Sequence, residues 1–153
     1  MKRKPLSKKE IKALNEQIKN LGIEFNKKDK IDLIDDTYYL FENEIILFTK
    51  DDKIIPSLKF ILTKNISSLP EVIVDMGAIK FIANGADVMR PGILEFNDNF
   101  EKGDFVIIKD IQNKKPIVIG EAIYSRDETK AEKGGKSFIN IHHIGDNIWN
   151  LEF

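Results

Sequence analysis

Cysteine is absent from these 153 residues, which excludes a disulfide framework, thiolate zinc centres, iron–sulfur clusters and a cysteine nucleophile together. Histidine is nearly absent too: there are two, adjacent at His142 and His143. Neighbours on a strand point to opposite faces and cannot readily share one metal, and without thiolates an intrachain site would have to be built from carboxylates. The two histidines are therefore read as structural, and no metal and no other cofactor is expected. No apolar run approaches the length of a bilayer crossing, and no signal-type apolar core follows the basic start MKRKPLSKKE. No membrane partner is expected, and the expected location is cytoplasmic. The sequence also lacks G-x-G-x-x-G after a strand, a phosphate-binding G-x-x-x-x-G-K-[ST] and a G-x-S-x-G elbow. Nothing assembles a nucleophile, a base and an orienting group, so the chain is expected not to be an enzyme.

What is present is the composition of a folded protein, 42% hydrophobic and 32% charged. The net charge is −1, unevenly placed. Residues 1–30 carry ten Lys/Arg against four acids, a local +6, whereas residues 73–153 carry ten against thirteen, a local −3. A protein that held nucleic acid by bulk charge alone would be strongly basic. Any such contact in the second half must use a shaped local surface.

The first element is an amphipathic helix. Ser7 and Glu10 have the spacing of a capping box, and Leu6 with Ile11 that of a hydrophobic staple. Ile11, Leu14, Ile18 and Leu21 form one apolar stripe, and Gly22 is placed to stop it. Strand patterns follow at 30–35, 37–41 and 44–49, with turns at Glu42-Asn43 and Asp51-Asp52; residues 58–62 read as a strand or a short helix. The stretch NISSLP, residues 65–70, has loop composition and marks the expected boundary between domains 1–71 and 72–153. Beyond it the pattern predicts a strand at 71–75, a short helix at 77–83 with Ile79, Ile82 and Ala83 on one side, and short strands separated by glycine-bearing turns. The segment 127–136 reads as a charged loop and 148–151 as a last strand. Short strands with early helical text indicate an α+β fold with a small, partly closed barrel.

Four segments in order then carry a resemblance. VIVDMGAIKFIANGADVMRPGI, FEKGDFVI, IVIGEAIY and GGKSFINIHHIGDNIW resemble a PUA domain. The first half, with PLSKKEIK, KDKIDLID and DDKIIPSLKFIL, is similar to the pre-PUA half of the malignant T-cell amplified sequence and ligatin-like branch, in its short archaeal form. The resemblance implies a small α/β N-terminal domain followed by a mixed-β pseudobarrel. It implies partners in RNA, as tRNA or rRNA, and in the small ribosomal subunit, with a protein partner in translation also in view. The process implied is initiation, re-initiation or recycling, and the tRNA acceptor end is the implied ligand of the second half.

The residues of the first PUA segment suit such chemistry. Glycine permits positive φ and close backbone approach, and a helix start near Gly77 would offer free N–H groups to a phosphate. The expected RNA-binding set is Gly77, Ala78, Lys80, Asn84, Gly85, Ala86, Asp87, Val88 and Arg90, with Lys80 and Arg90 on phosphates and Asn84 and Asp87 on base edges or 2′-hydroxyls. On spacing alone the glycines are simple turn residues; the resemblance favours the site. A secondary basic surface is expected from Lys2, Arg3, Lys4, Lys8, Lys9 and Lys12, against the alternative of a solvated tail and a wet helix face. Two other functions stay open: an accessory factor in tRNA or rRNA modification, and a protein-interaction module with a vestigial groove, which the acid surplus favours.

Overall fold

The computed structural model describes residues 1–64, 66 and 68–153, so Asn65 and Ser67 of the expected boundary loop lie outside the described residues. The chain forms two units, residues 1–68 with 150–153, and residues 69–149.

In the first unit, β1 (Arg3–Pro5), β2 (Ile31–Ile34), β3 (Tyr38–Phe41), β4 (Glu44–Lys50) and β5 (Lys53–Pro56) form one antiparallel sheet in chain order. Helix α1 (Lys8–Gln17) begins with the expected capping box: Ser7 Oγ accepts from Glu10 N at 3.1 Å, and Glu10 Oε1 accepts from Ser7 N at 3.1 Å. The Lys4 ammonium 2.7 Å away, together with these Ser7 bonds, draws the Glu10 carboxyl down to about 2. Ile11, Leu14, Ile18 and Leu21 are all buried, but α1 ends at Gln17 with Ile18 as its cap, and Gly22, at φ +70°, closes the 3-10 turn Lys19–Leu21 that follows. Residues 58–62, open between strand and helix in the sequence, belong to α2 (Leu58–Lys64), where Ser57 Oγ accepts from Phe60 N and donates to Ile45 O. The hairpin turns Asp35-Asp36, Glu42-Asn43 and Asp51-Asp52 all have positive φ at both central residues, the twist that two-residue hairpins need.

β1 departs from the sequence reading. Arg-Lys-Pro has no apolar alternation, yet its backbone pairs with β2, Arg3 opposite Ile34. All three side chains stay exposed, so the strand leaves no periodic signal.

The second unit is a six-stranded mixed sheet in the order β7-β11-β10-β9-β6-β8. Its strands are β6 (Glu71–Val74), β7 (Val88–Met89), β8 (Ile93–Phe96), β9 (Phe105–Asp110), β10 (Pro116–Ala122) and β11 (Lys136–His143). β6 and β9 run parallel; the other pairs are antiparallel. The sheet curls into the expected pseudobarrel around Val72, Val74, Val106, Ile108, Val118 and Phe138. Phe100 meets Phe138 with ring centroids 5.3 Å apart. Helix α3 (Met76–Ile82) lies between β6 and β7 in the chain.

Two local readings are corrected here. The charged loop at 127–136 contains helix α4 (Arg126–Ala131), because Ser125 Oγ caps Glu128 N at 3.2 Å and Thr129 is buried beneath it. The expected last strand is instead a helical turn, α5 (Asn147–Asn150), started by Asp146 Oδ1 accepting from Trp149 N at 2.9 Å. With the sheet ended at His143 and the chain turned there, residues 150–153 group with the first unit rather than the second. His142 is fully buried, its Nδ1 2.8 Å from Asp146 Oδ2. Burial pushes the Asp146 carboxyl up, but bonds from His142 and from the Trp149 and His143 N–H groups prevail and hold it below its usual range.

Candidate nucleic-acid interface

Helix α3 is held at both ends, and that fixes one wall of a cleft. At its start Asp75 N donates to Gly92 O at 2.9 Å, and Asp75 Oδ1 accepts from Ala78 N at 2.8 Å. At its end Ala86 N donates to Phe81 O and Gly85 N to Ile82 O, both at 3.1 Å, the pattern of a Schellman motif with Gly85 in the glycine position at φ +100°. A Cβ there would be strained and would touch the His143 ring at 3.4 Å. The opposite wall is the 3-10 turn Arg90–Gly92, brought close because a Cβ on Gly92 would stand 3.0 Å from Ala78 Cβ.

Between these walls is an open cleft of about 720 Å3. Gly77, Ala78, Gly85, Ala86 and Asp87 of the expected set line it, joined by Asp75, Phe81, Ile82, Met89, Pro91, Gly92 and Lys136. Phe81 is 58% exposed and Met89 46%, and both edge the opening. The polar groups are few. Lys136 Nζ lies 3.1 Å from Asp87 Oδ2, while Asp87 Oδ1 accepts from Asn140 N at 2.8 Å. Burial raises the Asp87 carboxyl, but Asn140 and the Lys136 ammonium outweigh it and hold the group below its ordinary range. The Asn140 amide donates to Ile82 O and Ala86 O, tying the 82–87 turn to β11.

Four members of the expected set stand outside the lining. Val88 is fully buried in the barrel core. Asn84 turns back, its Nδ2 donating to Lys80 O at 2.7 Å. Lys80 is exposed, with its ammonium 5.1 Å from the Phe81 ring centroid. Arg90 points toward α4: it donates to Thr129 O at 2.8 Å, Ile93 O at 3.3 Å and Lys130 O at 3.4 Å, and its guanidinium stacks 5.1 Å from Phe96. It braces the cleft wall with three of its five N–H donors and is not among the lining residues. Nor does the start of α3 present an open phosphate seat, because the Asp75 carboxylate occupies it.

Phe81 is absent from the expected set, although it is the one large apolar residue of 77–83 off the Ile79–Ile82–Ala83 face. Lys136 is absent too and carries no such signal, since only the pairing of β11 with β7 sets it opposite Met89.

In the first unit the six expected cations separate. Lys2 pairs with Asp36, Arg3 with Asp32 at 2.7 Å and Lys4 with Glu10 at 2.7 Å. Lys8, Lys9 and Lys12 instead face hollows on the α1 surface.

Comparison with known proteins agrees with this architecture. The PUA domain model matches residues 70–144, and a model described as a domain of unknown function, DUF1947, matches residues 2–64. An uncharacterized protein of Methanocaldococcus jannaschii is 41% identical, covering 99% of this chain and 97% of that one. Translation machinery-associated protein 20 of Saccharomyces cerevisiae is 37% identical over 82% of this chain and 74% of its own. The crystal structure of a hypothetical protein from Pyrococcus horikoshii superposes with a TM-score of 0.82 at 30% identity, covering 99% of this chain and all of that one. With a PUA barrel behind a DUF1947 half and such relatives along nearly its whole length, the chain belongs to the PUA-domain family that includes the translation machinery-associated protein 20 and malignant T-cell-amplified sequence proteins.

Proposed function

We propose that this chain is a non-enzymatic, RNA-binding protein of the translation machinery. Its PUA unit holds an unpaired nucleotide chain, the acceptor end of tRNA, and its N-terminal unit docks on the small ribosomal subunit in the cytoplasm. The process is initiation, re-initiation or recycling. The observation that carries the reading is the open cleft of about 720 Å3, walled by small residues and edged by exposed Phe81 and Met89. Unpaired bases can stack on such apolar edges, and the small residues let a sugar–phosphate chain approach the backbone. The single ammonium in the lining, Lys136, suits one phosphate and leaves recognition to shape. The names of the relatives support the link to translation. Binding and positioning suffice for this role, and no covalent step is required.

The local −3 charge of residues 73–153 favours a second reading, in which the cleft takes a protein partner. Filter binding of labelled tRNA, intact and trimmed of its unpaired 3′ end, separates the two. The RNA reading expects the trimmed form to bind at least about tenfold more weakly; equal binding of both forms would sink it.

A further inference from the structure

The two histidines are neighbours on β11, and the strand sends them to opposite faces. His142 is sealed inside, its Nδ1 held by Asp146. His143 is partly exposed, and its two ring nitrogens differ. Nδ1 lies 3.0 Å from Ile144 O. A carbonyl oxygen can only accept, so the proton sits on Nδ1, and in the neutral ring Nε2 carries a lone pair and no hydrogen. Among the described residues no hydrogen bond or ion pair reaches Nε2, and the only buried side-chain nitrogen or oxygen lacking a hydrogen bond is Arg126 Nε. Nε2 is therefore open to solvent.

The fold sets this open acceptor at the Gly85 end of the cleft. A Cβ on Gly85 would stand 3.4 Å from His143 Nε2 and 3.8 Å from its Cδ2. Gly85 lines the cleft, and because its φ of +100° calls for glycine, no side chain covers the ring edge there. Both partners are held in place. Asp146 Oδ2 accepts from His143 N at 2.9 Å, and the Asn140 amide, from the same strand, binds Ile82 O and Ala86 O, which flank Gly85 in the chain. The carboxylates of the cleft are already engaged, Asp75 by Ala78 N and Asp87 by Asn140 N and Lys136. That leaves Nε2 as an acceptor without a partner of its own.

We propose that His143 Nε2 accepts the 2′-hydroxyl of a nucleotide lying in the cleft, and that this bond makes the cleft choose ribose over deoxyribose. The inference rests on the cleft holding an unpaired nucleotide chain, as proposed above, and adds how that chain is told from DNA. Phosphate, ester and ring oxygens all accept and would repel a lone pair; within a sugar–phosphate chain only the 2′-hydroxyl donates. Small Gly85 and Ala86 bring the chain rather than a base nearest to Nε2, since the bases have Phe81 and Met89 to stack on. The phosphate falls to the Lys136 ammonium. A base amino group is the other donor a nucleotide carries, but it is the same in both sugars and would give no preference between them.

The test uses the full chain and three single strands of one sequence ending in CCA: ribose, deoxyribose and 2′-O-methyl ribose. The parent is expected to bind the ribose strand about three- to tenfold more tightly than the other two, the worth of one partly exposed hydrogen bond. His143→Phe should bring all three to about the same affinity by weakening the ribose strand alone, with the deoxyribose strand held within about twofold. A purely structural role would weaken all three together and leave the ratio standing, which would overturn the proposal. So would a 2′-O-methyl strand that the parent binds like the ribose strand, because it keeps the oxygen and lacks the donor; this arm needs no variant to fold. Equal binding of ribose and deoxyribose strands by the parent would remove the proposal and leave the cleft reading intact. Failure of every strand to bind would strike the cleft reading and the proposal with it.

Discussion

The two units distribute their charge in opposite ways. In the first, net positive charge is concentrated by pairing off the cations elsewhere and leaving six lysines around two hollows. In the second, the surplus is negative, and a cleft of small and apolar residues contains one ammonium, already paired with Asp87. A charged surface draws a polyanion from any direction, loses strength with salt and discriminates little. An open cleft lined by small and apolar residues instead suits an unpaired chain whose bases can stack.

The comparison can be broken or sharpened in several ways. The largest effect is structural: Phe138→Ala, in the sealed barrel core, should cost about 3–5 kcal/mol in urea unfolding followed by Trp149 fluorescence. A loss below about 1 kcal/mol would mean that the curled sheet is not what holds the cleft. Arg90→Ala should follow at about 2 kcal/mol of stability, through the lost bonds to the Thr129, Ile93 and Lys130 carbonyls, without altering the salt slope of RNA binding. A reduced slope at full stability would return Arg90 to the phosphate role first expected of it. Phe81→Ala should weaken single-strand binding by about 1–3 kcal/mol with its slope and stability unchanged, since the ring is already exposed. Lys136→Ala should cost about 1 kcal/mol and lower that slope by about one; no change would make the cleft wholly uncharged in its action. The smallest effect is on pH. Asp146 has a folded value below its unfolded one, so its stabilisation is complete above the ordinary carboxylate range and is lost as pH falls toward the folded value. The urea midpoint should therefore fall on acidification below about pH 4, and Asp146→Asn should remove its share of that fall.

Much of the fold was legible where local rules and global packing agree. The capping box of α1 and the buried stripe from Ile11 to Leu21 were plain because each signal lies within a few residues, though the helix stops at Gln17 and Gly22 ends only the 3-10 turn after it. α4 was missed although Ser125 and Glu128 carry the same capping spacing, because no apolar stripe accompanies them. β1 was missed because it is an exposed edge whose only order is its pairing with β2. In the site, glycines and alanines stood out through the backbone freedom they give, and five of the nine expected residues line the cleft. Long side chains were harder. Arg90 and Lys136 carry the same charge, and only the closure of the barrel decides that one braces a wall while the other reaches the opening.

The hairpin turns of the first sheet have a practical consequence. Asp36, Asn43 and Asp52 stand in a backbone region that costs most side-chain-bearing residues about 1–2 kcal/mol, and Asn and Asp less, whereas glycine enters it freely. Exchanging them for glycine would relax that tension, offset in part by a looser unfolded chain. These positions lie outside the linings of the cleft and of the lysine hollows, apart from Asn43. Asp52 is therefore the place to begin if a hardier version of the protein is wanted with the cleft left untouched.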